Sequence, residues 1–180
     1  SASGLTFTGI ALLVFLMSNV VTAQLYQSDL IGAKRADQFL QRKELPPEES
    51  DLSRHGPGYP LFYIFASFSN EAFVPGDDTQ PKEYIRASIR AATTRTTVIL
   101  AHLAMVIGIV LIGYRHFDNI HTGVAVASLY LLLPYTAQMT LRVDHVIPAA
   151  LLVWAVEAYR RPVLAGIFLG VSEKVQWDMG

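Results

Sequence analysis

The chain contains no cysteine and little charge, and both absences narrow what it can be. The lack of cysteine among its 180 residues excludes disulfides, thiolate nucleophiles and cysteine-based metal sites. Only 16% of the residues are charged, against roughly 25% in an ordinary soluble domain. The formal net charge of −1 gives no basis for nucleic-acid binding. Glycine-rich phosphate loops, HExxH and nucleophile-elbow motifs do not occur either.

What the chain has instead is apolar residues, which make up 52% of it and come in long blocks. This pattern predicts an all-α, polytopic membrane helix bundle in a single integral membrane domain, residues 1–180. We expect about four full spans and a short fifth helix. The predicted spans are residues 5–24, 96–114, 122–141 and 145–159, and the short helix is 162–172.

Three local signals refine these segments. The first block has 20 uncharged residues and predicts a retained span; Val21-Thr22-Ala23 leaves a cleaved signal peptide as the alternative. Pro134 predicts a kink in the third span. The fourth block is short unless its helix begins at Asp144, which would then be the N-cap, with Pro148 in the first turn.

Residues 25–95 form a long extramembrane loop in which we expect interfacial helices. The aromatic stretch 61–68 is too short to span, and a re-entrant or interfacial helix fits it best. A buried strand or helix of a small extramembrane domain is the alternative. Residues 82–95 are amphipathic, which predicts a helix lying on the membrane and leading into the second span.

The distribution of basic residues suggests an orientation. Arg115 and His116 lie on the same side as Arg160 and Arg161, which the positive-inside rule assigns to the cytoplasm. The N-terminus would then be cytoplasmic, and the first loop and the 142–144 turn extracytoplasmic, in a bacterial inner or cytoplasmic membrane. We also expect Glu157 to pair with Arg160 or Arg161.

Four features in order resemble the N-terminal part of the GT-C superfamily of polytopic glycosyltransferases. The first is an aspartate after the first span, in Tyr26-Gln27-Ser28-Asp29. The second is the Gly/Pro/Tyr turn 56–60, which leads into an apolar helix. The third is the charged hairpin Arg142-Val143-Asp144-His145. The fourth is the basic turn and AG…LG helix of residues 160–174.

The resemblance implies roles for particular residues. Asp29 would be the general base, and Arg142 would bind the donor phosphate. Asp144 would orient Arg142, or bind Mg or Mn together with Asp29. Lys174 and Tyr59 would add contacts to the donor. Four of them have a structural alternative. Asp29 could be a solvated aspartate, Arg142 could extend to lipid headgroups, Asp144 could be the N-cap described above, and Lys174 could be a loop residue after a broken helix.

The resemblance therefore implies transfer of a sugar from a polyprenyl-phosphate donor to an extracytoplasmic acceptor. The alternative is a non-enzymatic accessory subunit of a larger membrane complex, for example a photosynthetic or respiratory one. The partners would be the lipid bilayer and either the donor or other subunits. A single histidine in a span, His102, is a weak basis for a haem or pigment ligand. In the catalytic case Asp29, Arg142 and Asp144 converge on one cavity at the membrane surface.

Overall fold

A computed structural model describes residues 2–25, 30–40, 62–64, 66–67, 82–138 and 140–175. All regular structure in these ranges is helical, which confirms the all-α prediction for this part of the chain. The helices, in chain order, are α1 (Ala2–Thr22), α2 (Ile31–Leu40), α3 (Lys82–Phe117), α4 (Ile120–Leu132), α5 (Pro134–Gln138), α6 (Val143–Glu157) and α7 (Pro162–Val175).

Among the described residues, two helices are long and apolar enough to cross a membrane. They are the segments Ser3–Thr22 and Glu83–Phe117. The prediction of four full spans is not supported, because α4, α6 and α7 have only 13, 15 and 14 residues. At about 1.5 Å per residue each falls short of the roughly 30 Å hydrocarbon core.

Proline explains the break between α4 and α5, and its absence agrees with the continuity of α3. The predicted third span is interrupted at Leu133, whose extended backbone (ψ 129°) separates α4 from Pro134 at the start of α5. The amphipathic residues 82–95 and the predicted second span are continuous. Residues 82–117 form one helix of 36 residues, within which no proline lies. The amphipathic segment is therefore the first part of this helix and not a separate one.

Helix α3 is the centre of the bundle. It packs against α4 on one side and α6 on another, while α1 lies against α4 and α7 lies against α6. The closest approach is between α3 and α4, where the backbones of Gly113 and Gly123 touch. Only glycine permits this, because a Cβ on Gly123 would lie 2.7 Å from the Val110 carbonyl oxygen.

A buried apolar cluster joins the end of α1, helix α2, Tyr63, α3 and the start of α6. Its members include Val20, Ala33, Tyr63, Val98 and Val143. We call this end of the bundle, with the turn before α6, the hairpin end. The opposite end, formed by the last turns of α3 and α6 and the turn into α7, is called the arginine end after Arg115, Arg160 and Arg161.

Candidate functional site

An arginine just before α6 and an aspartate in the first turn of α6 bind each other. Arg142 Nε donates to Asp144 Oδ1 at 3.2 Å, and Nη2 donates to Oδ2 at 2.9 Å. Two parallel bonds of this kind fix the plane of a guanidinium. The Arg142 side chain is 50% exposed, so Asp144 holds a surface guanidinium in a defined orientation, which is one of the two roles predicted for this aspartate.

The N-cap role predicted for Asp144 is wrong. Helix α6 begins at Val143, and Arg142 occupies the cap position without a side-chain cap bond. Asp144 lies in the first turn and Pro148 in the second, not the first. Burial opposes ionisation of Asp144, but the hydrogen bond and charge of Arg142, with the neighbouring His145, outweigh it and lower the pKa of the carboxyl below its ordinary value.

A buried histidine holds the segment that leads into this turn. His102 Nε2 lies 3.1 Å from the Thr140 carbonyl oxygen, which can only accept, so Nε2 carries the proton and donates. Nδ1 then accepts from the Tyr130 hydroxyl at 2.8 Å. His102 and Tyr130 line a cavity of about 180 Å³, together with Thr136 and His145. His102 is thus a buried link between α3, α4 and the hairpin.

An apolar groove lies beside the same cluster, between α3 and α6. Its volume is about 350 Å³, and its lining residues include Phe62, Ala101, Ile147, Leu151 and Trp154. Ala101 and Ile147 also belong to the buried cluster that contains Val143. The groove therefore begins near the hairpin and follows α6 from Ile147 to Trp154, about 10 Å of helix.

The predicted site residues are only partly covered by the structure. Asp29 and Tyr59 lie outside the described residues, so their convergence with Arg142 stays a prediction. Lys174 was expected after the fifth helix, but α7 continues through Val175 and Lys174 lies in its last turn. No proline or glycine lies between Gly170 and Val175 to stop the helix earlier.

The prediction for the partner of Glu157 is wrong. Glu157 binds Arg115 of α3 and neither Arg160 nor Arg161. The sequence offered i, i+3 and i, i+4 spacing to the two following arginines, but α6 ends at Glu157. Arg160 therefore lies in a turn, where its Nε donates to the Tyr159 hydroxyl at 2.8 Å.

Helix α2 and Arg35 were missed by reasoning from the sequence. Ala33 and Ala36 are both buried and lie three residues apart, and this i, i+3 spacing of apolar residues is the sequence signal that could have indicated the helix. The Arg35 side chain is 8% exposed, and its Nη1 has no acceptor among the described residues. Arg35 lies six residues after Asp29 in the sequence, on the helix that packs into the cluster with Val143.

The described residues do not form a metal site. No group of three or more histidine, aspartate or glutamate side chains in them could hold a metal ion. Both Asp144 oxygens already accept from Arg142, and a guanidinium beside a carboxylate disfavours a cation there. The prediction that Asp29 and Asp144 bind Mg or Mn stays a prediction.

Comparisons with protein-family models, with curated proteins and with solved structures find no match.

Proposed function

We propose that this chain is a GT-C-like membrane glycosyltransferase, or part of one, that binds a polyprenyl-phosphate sugar donor at its hairpin end. The observation that carries the proposal is the buried cluster to which α2, Tyr63 and Val143 all contribute side chains. The segments that follow Asp29 and Tyr59 in the sequence thus share a buried cluster with the start of α6, beside Arg142. A donor site built from the first loop and the hairpin requires this packing.

Charge and shape at the hairpin end suit the two parts of such a donor. The oriented guanidinium of Arg142 would bind the phosphate. Arg35, which is buried and has an Nη1 without an acceptor among the described residues, is a second candidate donor of hydrogen bonds to it. The apolar groove between α3 and α6 would hold the first isoprene units, since every residue that lines it is apolar or aromatic except Thr97.

The proposed reaction is transfer of the sugar to a hydroxyl. The acceptor oxygen forms a bond to the anomeric carbon, while the bond from that carbon to the phosphate oxygen breaks and its electron pair stays on the phosphate. Asp29 takes the acceptor proton. Arg142 stabilises the charge of the departing polyprenyl phosphate, and Asp144 acts through Arg142 as a positioning residue.

Binding of farnesyl phosphate to the detergent-solubilised chain tests this proposal, with farnesol and inorganic phosphate as comparisons. We expect farnesyl phosphate to bind at least ~10-fold more tightly than either, because it uses both the guanidinium and the groove. R142Q should weaken its binding ~10-fold, whereas the exposed control R86Q should not. Equal binding of farnesol and farnesyl phosphate, or no effect of R142Q, would rule out this site.

An accessory subunit of a membrane complex is the second candidate, favoured by one observation. Gly166 and Gly170 of α7 have a G-x-x-x-G spacing, and no described atom lies within 4 Å of where a Cβ would be. Small residues at this spacing let membrane helices pack closely. Cross-linking at this face in native membranes tests it: a G170L variant should lose a cross-linked partner that the wild-type chain retains.

A further inference from the structure

The arginine end contains a second cavity, far from the hairpin and not used by the proposed reaction. Its volume is about 490 Å³, and it lies between the end of α3, the end of α6 and the start of α7. It is lined by Arg115, His116, Trp154, Glu157, Ala158, Arg160, Arg161, Leu164 and Phe168.

The polar wall of this cavity is positive. It presents three guanidinium groups and one carboxylate, a surplus of two positive charges. The carboxylate belongs to Glu157, whose side chain is 8% exposed and is bound by Arg115. The charges of Arg115 and Glu157 cancel, so the two surplus positive charges of the wall belong to Arg160 and Arg161.

The histidine in this wall, His116, has buried polar atoms that make no hydrogen bond to the described residues. Both ring nitrogens of His116 are buried and have no hydrogen-bond partner among the described residues. The ring lies against Tyr159, with 4.8 Å between their centroids. A buried ring nitrogen without a partner is costly, and an oxygen-rich ligand in this cavity would supply one.

The remaining wall is apolar and aromatic. Trp154 and Phe168 approach within 6.3 Å between ring centroids, and Trp154 Nε1 donates to the Ala104 carbonyl oxygen at 3.0 Å. Leu164 completes this side. The cavity thus has cations on one wall and apolar side chains on the other, which is the arrangement that an anionic amphiphile requires.

We propose that the cavity at the arginine end binds the phosphate headgroup of an anionic phospholipid. Arg160 and Arg161 would bind the phosphate oxygens, while the first part of the acyl chains lies against Trp154, Leu164 and Phe168. This site is separate from the hairpin and does not depend on the proposed transferase function.

Trp154 lines both this cavity and the apolar groove, so its emission reports binding and the arginine variants assign that binding to this cavity. The chain has two tryptophans, so a W177F background leaves Trp154 as the single indole. Short-chain phosphatidic acid is titrated into the detergent-solubilised chain and Trp154 emission is followed. Short-chain phosphatidylcholine tests the need for net negative charge, and glycerol 3-phosphate tests the need for acyl chains.

We expect phosphatidic acid to change the emission saturably, and phosphatidylcholine and glycerol 3-phosphate each to bind at least ~10-fold more weakly. R161Q should weaken phosphatidic acid binding ~10-fold, R161K should retain part of it, and R86Q should not alter it. R160Q provides an independent variant, and circular dichroism confirms that each variant is helical. Equal binding of phosphatidylcholine, glycerol 3-phosphate as tight as phosphatidic acid, or indifference to both R160Q and R161Q would overturn the proposal.

The two proposed sites fail independently of each other. R142Q should weaken farnesyl phosphate without affecting phosphatidic acid, and R161Q should do the reverse. If R161Q weakens both ligands equally while R142Q affects neither, the arginine end is the only phosphate site and the hairpin proposal fails alone.

Discussion

The two ends of the bundle use the same kind of ion pair for different purposes. At the hairpin end, Arg142 and Asp144 are two residues apart, so their pair joins no separate elements. At the arginine end, Arg115 and Glu157 are 42 residues apart and join α3 to α6. The first pair orients a group at the surface, whereas the second contributes to the fold.

The ends also differ in how their helices are held together. The hairpin end depends on a cluster of side chains drawn from α1, α2, α3 and α6. The arginine end depends on backbone contact between Gly113 and Gly123, with one polar pair beside it. Substitutions at the arginine end should therefore affect stability more than their exposure suggests, while charge substitutions at the hairpin end should affect binding and leave stability nearly unchanged.

The largest expected effect is that of G113A. The new Cβ would collide with the Cα and N of Gly123, which are backbone atoms that cannot rotate away. Separation of α3 from α4 should cost about 3 kcal/mol of the free energy of unfolding. Denaturant unfolding in detergent, followed by circular dichroism, measures this.

The matched control for G113A is G166A, which is also a glycine-to-alanine change inside a helix. No described atom lies within 4 Å of a Cβ at Gly166, so the gain in helix propensity should stabilise the chain by up to about 1 kcal/mol. If the two substitutions have equal effects, backbone contact does not hold the arginine end together.

His102 should matter next most, because it is the polar link inside the hairpin end. H102L removes the donor to the Thr140 carbonyl and the acceptor for the Tyr130 hydroxyl, both in a buried environment. We expect a loss of about 2 kcal/mol, measured by the same unfolding experiment. H121L, at an exposed position of α4, is the control. Y130F removes only one of the two bonds and should cost less than H102L; a larger cost would contradict the proposed linkage.

The two ion pairs themselves should differ in stability. R115Q leaves the carboxylate of Glu157 without its guanidinium, and the Glu157 side chain is only 8% exposed. Because Arg115 is itself 55% exposed, we expect a moderate loss of about 1.5 kcal/mol. R142Q should change stability by less than about 0.5 kcal/mol, since its pair is local and half exposed. The double variant R115Q/E157Q should recover part of the loss.

The sequence was most informative where a single residue decides the local backbone. The apolar blocks gave both ends of α1, α6 and α7 and the start of α4 to within a few residues, and Pro134 gave the break before α5. Charge pairing was predicted less well. Arg142 and Asp144 are neighbours in the sequence, so their contact was foreseeable, but the Arg115–Glu157 pair depends on how α3 and α6 are aligned.

The number of membrane spans could not be predicted from the apolar blocks, because it also depends on how the helices are broken. Hydropathy fixes where an apolar run begins and ends, but not whether it forms one helix. Residues 122–141 read as a continuous apolar run, yet they contain two helices and a turn. Similarly, the glycine contact between Gly113 and Gly123 requires both helices to be in place before it can be recognised.

The smallest expected effect is the pH dependence that Asp144 contributes to stability. The pKa of its carboxyl is lowered in the folded chain, so the ionised form is favoured by folding. This contribution is therefore fully present above the unfolded pKa, about 3.9, and is lost as the pH falls through the lower folded pKa. The difference in unfolding free energy between wild type and D144N should be constant above about pH 5 and shrink below about pH 4. Its size should stay under about 1 kcal/mol, because the pair lies at the surface.

In the R142Q background, where the main cause of the lowered pKa is absent, the same D144N comparison should lose most of this pH dependence. A pH profile that is unchanged by R142Q would mean that Arg142 does not hold the Asp144 carboxylate, and the hairpin would lose the oriented guanidinium on which its proposed function depends.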